Sequence, residues 1–409
     1  MTSRPCRFCG AQLEAVFVDL GMSPPSNALV TQERLTTMER FYPLRVYVCG
    51  TCFLVQLEEF ESPSDIFSDY AYFSSYSTSW LEQCKRYANM IAGELKLGPA
   101  HRVVEIASND GYLLQYFREI GVPVLGVEPA ANVAKVAVER GVPTEVAFFG
   151  TETARRLRGG NQAANLIVGN NVLAHVPDIN DFVEGVRILL EPGGTVTFEF
   201  PHLLQLIAQN QFDTIYHEHF SYLSALTVSK IFAAHGLRIV RIDEVPTHGG
   251  SLRVWAAHED DSRAADSSVE RVLSEERAFG LDRLEAYASF EESTRRAKRG
   301  LLRFLIDARE RGERVVAYGA AAKGTTLLNY CGVRVDLIDY VVDRSPHKQG
   351  RYLPGCHVPI FDPARVAETR PDYLLILPWN IKDEIVEQMA HIREWGGRFV
   401  VPIPNVEIL

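Results

Sequence analysis

The sequence has no stretch approaching the ~20 consecutive apolar residues of a membrane-spanning helix. Its opening residues, MTSRPCRFCG, contain no apolar core of a secretory signal. A cytoplasmic protein without a membrane partner is expected. Basic charge is scarce: 42 Lys and Arg stand against 52 Asp and Glu, a net charge of −10. That argues against a nucleic-acid partner, which needs a basic footprint, and leaves room only for small basic pockets suited to an anionic small molecule. Cysteine is sparse and odd in number, seven in 409 residues, which argues against a disulfide framework. Short tandem repeats are absent, and so is the G-x-G-x-x-G turn of a dinucleotide fold.

What is present has the length for two or three domains. Residues 1–65 carry paired cysteines between short hydrophobic runs. Residues 66–260 begin with the aromatic run SDYAYFSSYSTSW and a helical segment. From Arg102 they then alternate strand (RVVEIA, VPVLGVEP, VPTEVAFF, ANLIVGNN, GTVTFEFP) and helix, the pattern of a parallel sheet covered on both faces. LRIVRIDEV and GGSLRVWAAHE follow as an antiparallel hairpin. A doubly wound α/β sheet with an antiparallel last strand is the class I methyltransferase layout. Residues 261–312 are rich in Glu, Arg, Ala and Leu and predict a helical connection. Residues 313–409 restart the alternation as a smaller, Rossmann-like domain.

Cys6, Cys9, Cys49 and Cys52 form two C-x2-C pairs. Two tight knuckles can bring four thiolates together tetrahedrally around Zn2+, and four cysteines leave the metal no open position, so its role is structural. The 39 residues between the knuckles exceed a compact zinc ribbon and must carry structure of their own. Cys84, Cys331 and Cys356 are isolated and read as core residues.

RVVEIA ends near Glu105, and Ser108, Asn109, Asp110 and Gly111 form the turn into a helix, where α/β sheets bind ligands. With one glycine the turn disfavours a pyrophosphate, whereas S-adenosyl-L-methionine has no phosphate and tolerates it. Glu128 ends the next strand and can accept ribose hydroxyls; Asn170 and Asn171 end the fourth strand, near the methionine part, and His175 follows. A doubly wound sheet holding some other ligand is the plainer alternative. Residues 211–224, QFDTIYHEHFSYLS, concentrate Tyr216, His217, Glu218, His219 and Tyr222. An extended chain would put His217 and His219 on one side; a helical turn would put Tyr216 and His219 on one face. Histidine is the usual acid–base group near neutrality, a surface cluster being the bland alternative. His248, before Gly249 and Gly250, marks either a ligand-approached loop or a hairpin turn. Behind the third domain's strands stand Gly319 and Lys323, then Asp343, Arg344, His347 and Lys348, then Trp379 and Asn380. Three successive strand-end loops can hold a nucleotide diphosphate; a purely structural domain is the other possibility.

Together the CRFCG and CGTC knuckles, YAYFSSYSTSW, VVEIASNDGYLL, NNVLAHVPD, DTIYHEHFSY, PTHGGSLRVW, YGAAAKGTTLLN and LPWN resemble the sugar C-methyltransferases of antibiotic deoxysugar pathways, over nearly the whole length. The resemblance implies a structural zinc, S-adenosyl-L-methionine as methyl donor, and a dTDP-linked 4-ketosugar held mainly by the C-terminal domain. It implies His219 as base, with Tyr216, Glu218, His175 and an early tyrosine, Tyr70 or Tyr72, beside the sugar. The methyl would go to C3 or C5. Competing readings are a sugar O- or N-methyltransferase on the same scaffold and a non-catalytic zinc-module binding protein. Oligomeric state is open, a monomer being compatible with the sequence.

Overall fold

The computed structural model describes residues 4–62, 75 and 78–409. In the first module, β1 (Ala15–Ser23), β2 (Tyr42–Val48) and β3 (Val55–Leu57) form an antiparallel sheet. The insert between the knuckles therefore supplies two strands, the structure its length demanded. A fourth strand comes from far downstream: Ser221 and Tyr222, just behind the His-rich run, pair with Gln56 and Val55.

The central sheet comprises β4 (Val103–Ile106), β5 (Val124–Val127), β6 (Thr144–Glu145), β7 (Ala164–Asn170) and β8 (Leu190–Pro201). After the short strand β9 (Ser221–Tyr222) it is completed by β10 (Leu237–Val245) and β11 (Ser251–His258). The order is β10-β11-β8-β7-β4-β5-β6, all parallel except β11, which runs against both neighbours. Strands covered on both faces are apolar throughout, and period-2 alternation sorts their side chains. Val103, Leu166 and Val168 meet the helix Thr78–Glu94, while Val104 and Ile167 meet the opposite layer with Phe182 and Phe198. The parallel ladder brings the carboxyl ends of β4, β5 and β7 to one edge, where the polar turns lie.

The third sheet contains β12 (Val315–Tyr318), β13 (Val341–Val342), β14 (Ile360–Phe361), β15 (Tyr373–Ile376), β16 (Arg398–Val401) and β17 (Glu407–Ile408), in the order β14-β13-β12-β15-β16-β17. After β13 the chain makes turns and β14 before the helix Arg365–Thr369. The connecting region divides. The helix Ser267–Phe279, opened by the Asp266 side chain on Ser268 N (2.8 Å), joins the central core through Val272. The helix Phe290–Glu310 instead buries Phe290, Leu301 and Leu305 in a core shared by the first and third sheets, with Phe17 stacked on Phe290 at 4.4 Å. The knuckle residues Cys6, Cys49 and Cys52 pack into the central core. Among the described residues no helix is long and apolar enough to cross a membrane.

Candidate active site

The knuckles close as the spacing predicts. Cys6 O accepts from Gly10 N (3.0 Å) and Cys49 O from Phe53 N (3.0 Å), with Gly10 and Phe53 in left-handed backbone (φ +74° and +66°). The four sulfurs lie within 4.8 Å of one another, and the Cys6–Cys52 and Cys9–Cys49 pairs are each 3.5 Å apart. Tetrahedral Zn–S bonds of ≈ 2.3 Å require sulfurs about 3.7 Å apart, so the donor set fits zinc. Gln56 Nε2 donates to Cys6 Sγ (3.1 Å) and Thr51 N to Cys49 Sγ (3.4 Å), as outer contacts that hold thiolates in place.

At the end of β4 the chain passes through three left-handed residues, Ala107, Asn109 and Gly111 (φ +57°, +50° and +76°). A non-glycine in that region costs about 1 kcal/mol or more and persists only where the surroundings enforce it. The enforcer is Glu128 at the end of β5: its oxygens accept from Asn109 N and Ala130 N, both at 2.9 Å. Glu128 thus first ties two turns together, and ribose hydroxyls would share its remaining lone pairs. Gly126 lets Ser108 approach; a Cβ there would meet Ser108 Oγ at 2.3 Å.

Around this turn, polar atoms are buried without a hydrogen-bond partner among the described residues: Ser108 Oγ, Asp110 Oδ1 and Asn171 Oδ1, while the fully buried Glu105 carboxyl lies against the Tyr112 hydroxyl. Each such atom costs about 1–3 kcal/mol. Burial pushes the Glu105 carboxyl well above its ordinary range, and Glu128 and Asp110 add to that. Asp110 Oδ2 is held by Arg140 (3.0 Å) and by the Ser75 hydroxyl. Asn170 lies beside the buried Tyr112. Three orphaned polar atoms beside two buried carboxyls suit a ligand rich in hydroxyls and carrying positive charge, which is the character of S-adenosylmethionine.

The run 211–224 is neither one continuous strand nor one helix: only Ser221–Tyr222 is strand. Phe212–Thr214 is a 3-10 turn, and His219 N donates to Tyr216 O (2.9 Å), so the Tyr216 and His219 rings lie 4.0 Å apart. His217 points the other way, buried against Tyr42 and Phe60 of the first module, which removes it from the chemistry. His219 Nδ1 donates to Thr214 O (2.8 Å); since a carbonyl only accepts, Nε2 keeps its lone pair. His175 lies 4.7 Å away, its Nδ1 donating to Glu218 O (2.8 Å). Burial holds His219 well below its ordinary pKa, and His175, His248 and Lys323 lower it further. Burial likewise brings His175 and His248 to about 4. Tyr222, buried in β9, stands 6.2 Å from His219.

The loop behind β10 faces the same space. His248 (φ +56°) accepts from Asn171 Nδ2 at Nε2 (3.2 Å), and Thr247 Oγ1 donates to the buried Glu199 (2.7 Å), itself paired with Arg253 (2.6 Å). Gly249 (φ +89°) packs on Trp379; a Cβ would meet its ring at 2.5 Å. Trp379 Nε1 donates to Asp213 Oδ2 (2.7 Å), and Lys323 lies 4.5 Å over the indole with Nζ on Asn380 Oδ1 (3.0 Å). Burial raises Asp213 to about 6 and lowers Lys323. Gly319 (φ +95°) leaves no room for a Cβ against Pro378 (2.5 Å). Beside it Asp343 accepts from Ala320 N (2.8 Å) and Lys348 donates to Ala320 O (2.9 Å). Arg344 is not drawn in: it is exposed and pairs outward with Glu384 at 3.8 Å. Tyr70 and Tyr72 lie outside the described residues. Sequence reasoning missed Asp213, Glu199, Arg253 and Asn27, whose amide donates to Glu218 (2.6 Å).

Three family models match in chain order: a zinc binding domain over residues 6–67, a methyltransferase domain over 78–242 and a C-methyltransferase C-terminal domain over 246–404. The C-methyltransferase NovU of Streptomyces niveus is 36% identical over 404 residues, 99% of this chain and 96% of that protein. This chain belongs to that C-methyltransferase family. It is an S-adenosylmethionine-dependent C-methyltransferase. A ubiquinone biosynthesis O-methyltransferase of Chelativorans sp. (strain BNC1) is 30% identical over 97 residues, 23% of this chain and 37% of that protein. The magnesium protoporphyrin IX methyltransferase of Synechocystis PCC 6803, solved with bound SAH, has a TM-score of 0.34 at 12% identity, covering 44% of this chain and 83% of that one. The C-methyltransferase C-terminal model begins at residue 246, so it takes in the His248 loop and β11 of the central sheet as well as the third sheet.

Proposed function

We propose that this C-methyltransferase acts on a dTDP-linked 4-keto-deoxysugar, with His219 removing the proton from the carbon beside the ketone at C3 or C5. The observation that carries the reading is the fixed imidazole: Nδ1–H is spent on Thr214 O, so the buried ring keeps a lone pair on Nε2, with His175, His248 and Lys323 close enough to act on it. S-adenosylmethionine, when bound, supplies an electrophilic methyl group on a positively charged sulfur. Glu105, Ser108, Asn109, Asp110, Gly111, Glu128, Asn170 and Asn171 hold it. The proton leaves carbon for His219 Nε2, and the C–H electron pair passes into an enolate. Charge on the enolate oxygen needs a preorganised field; Lys323 is the cation whose charge reaches His219. Tyr216, Glu218, His175, Tyr222 and an early tyrosine, Tyr70 or Tyr72, line the sugar, and burial of the site excludes water. Gly319, Lys323, Asp343, Lys348, Trp379, Asn380 and the His248–Gly249 loop hold the nucleotide and sugar. Zn2+ on Cys6, Cys9, Cys49 and Cys52 fixes the first module.

The test is product analysis by mass spectrometry and NMR with a panel of dTDP-4-keto-6-deoxysugars. A new C–C bond at C3 or C5 with every hydroxyl retained is expected. A methyl on oxygen or nitrogen, or no turnover with any member, overturns the reading.

A further inference from the structure

One side chain of the first module reaches the middle of the His-rich run. Asn27 Nδ2 donates to Glu218 Oε1 at 2.6 Å, and the Glu218 carboxyl is buried. Glu61 is the charged neighbour acting on that carboxyl among the described residues, and His175 bonds the backbone oxygen of Glu218, not its carboxyl. Burial pushes Glu218 up to about 7, against the pull of the Asn27 amide.

The residue before Asn27 is clamped. Ser26 O accepts from Thr325 Oγ1 (3.1 Å), and the Ser26 hydroxyl lies 3.5 Å from Thr326 Oγ1. Thr326 Oγ1 in turn donates to Ile215 O (3.0 Å), three residues before Glu218. Thr325 and Thr326 belong to the helix Ala322–Cys331, which carries Lys323. Farther along the insert, Val30 and Tyr352 exchange backbone hydrogen bonds, both 2.9 Å, and Glu39 accepts from Gly355 N (2.9 Å). Three modules thus meet where Asn27 stands, and farther along the insert Glu39 also pairs with His357 and Gln32 with Tyr352. Asn27 alone extends an amide onto the carboxyl.

We propose that Asn27 is a positioning residue for C-methyl transfer: its amide fixes the rotamer and proton affinity of Glu218, and the clamp of the adjacent Ser26 on Thr325 and Thr326 makes that setting depend on the docked third domain. An N–H aimed at one carboxylate oxygen favours the ionised form and one orientation, and a buried carboxyl stripped of its donor shifts toward the neutral form. The assignment rests on the reading that Glu218 stands beside the sugar.

The experiment combines pH-dependent kinetics with carboxyl titration by 13C NMR of full-length protein carrying [δ-13C]glutamate, the Glu218 signal being identified by its loss in Glu218→Gln. Asn27→Ala is expected to lower kcat about tenfold, leave the cofactor KM unchanged and raise the Glu218 titration. Asn27→Asp, of the same size but with a like charge, raises it further. In a Glu218→Gln background Asn27→Ala adds no further loss of kcat. Asn27 is itself exposed, so truncation removes no core contact. A Glu218 titration that stays put in both variants overturns the proposal, as does an undiminished Asn27→Ala cost in the Glu218→Gln background. If the wild-type enzyme methylates no ketosugar, the substrate reading fails, and the NMR titration still decides the role of Asn27.

Discussion

The two regions proposed to hold the methyl donor and the nucleotide-sugar are built on opposite principles. At the β4 turn, Ser108 Oγ, Asp110 Oδ1 and Asn171 Oδ1 lack partners among the described residues, and burial pushes the Glu105 carboxyl well above its ordinary range. At the ends of β12, β13 and β15 the polar groups are bonded to one another: Lys348 to Ala320 O, Ala320 N to Asp343, Lys323 to Asn380, Trp379 to Asp213. The first pocket stores unmet hydrogen-bonding capacity that a polar cation relieves. The second is prewired, so an anionic ligand there must exchange bonds that already exist. On the proposed reading, tight, pH-linked donor binding and weaker, salt-sensitive sugar-nucleotide binding follow from that difference.

The largest effect separates both pockets from the chemistry between them. His219→Ala should lower kcat by about 10³-fold, within the usual worth of a general base, while calorimetry finds cofactor affinity unchanged. A matching loss of cofactor affinity would place His219 in the first pocket instead. Next comes Glu105. Because burial keeps its proton on, binding a cationic donor should release that proton, seen as a dependence of the binding enthalpy on buffer ionisation. Glu105→Gln should abolish the release and weaken binding about tenfold, roughly one charge-assisted hydrogen bond. An unchanged buffer dependence would erase the contrast between the pockets.

Lys323→Met should raise KM for the nucleotide-sugar about tenfold and leave the cofactor Kd alone, since its bonds lie wholly in the prewired pocket. A last effect falls on stability and leaves turnover near neutral pH unchanged: it concerns His217, which serves neither pocket. Burial lowers it from 6.5 to about 4, so the unfolded chain takes up its proton first. The stability this imidazole contributes is full above pH 6.5 and is lost as pH falls toward 4, by roughly 3 kcal/mol at most. His217→Phe keeps the packing on Tyr42 and Phe60 and should flatten the thermal-denaturation profile across that interval.

Much of this was legible from local sequence. The two C-x2-C knuckles, the single-glycine turn after RVVEIA and the hairpin of β10 and β11 are features whose partners are close in sequence or imposed by periodicity. The geometry of 211–224 was open between extended and helical forms because an isolated i to i+3 turn follows from neither pattern. It is selected by Phe220 N bonding Ala174 O (2.8 Å) and Leu57 N bonding Phe220 O (3.0 Å), contacts beyond any local window. Asn27 and Asp213 were missed for the same reason: an asparagine after Pro-Pro-Ser reads as turn chemistry, and its target lies 191 residues away. Arg344, whose charge suits a diphosphate, is exposed and lies 3.8 Å from Glu384, a partner no local pattern announces.

The helix Phe290–Glu310 is the common backing of the first and third sheets, with Phe17, Val315 and Leu301 in one continuous apolar body. Substrate preference in this enzyme is therefore not a detachable cartridge. A chimaera that imports only residues 313–409 from a relative would set a foreign surface against a native helix. Recombination that moves the helix and the insert of the first module with it keeps the seam matched, so crossover points for retargeting belong near Gly280 and not at the start of β12.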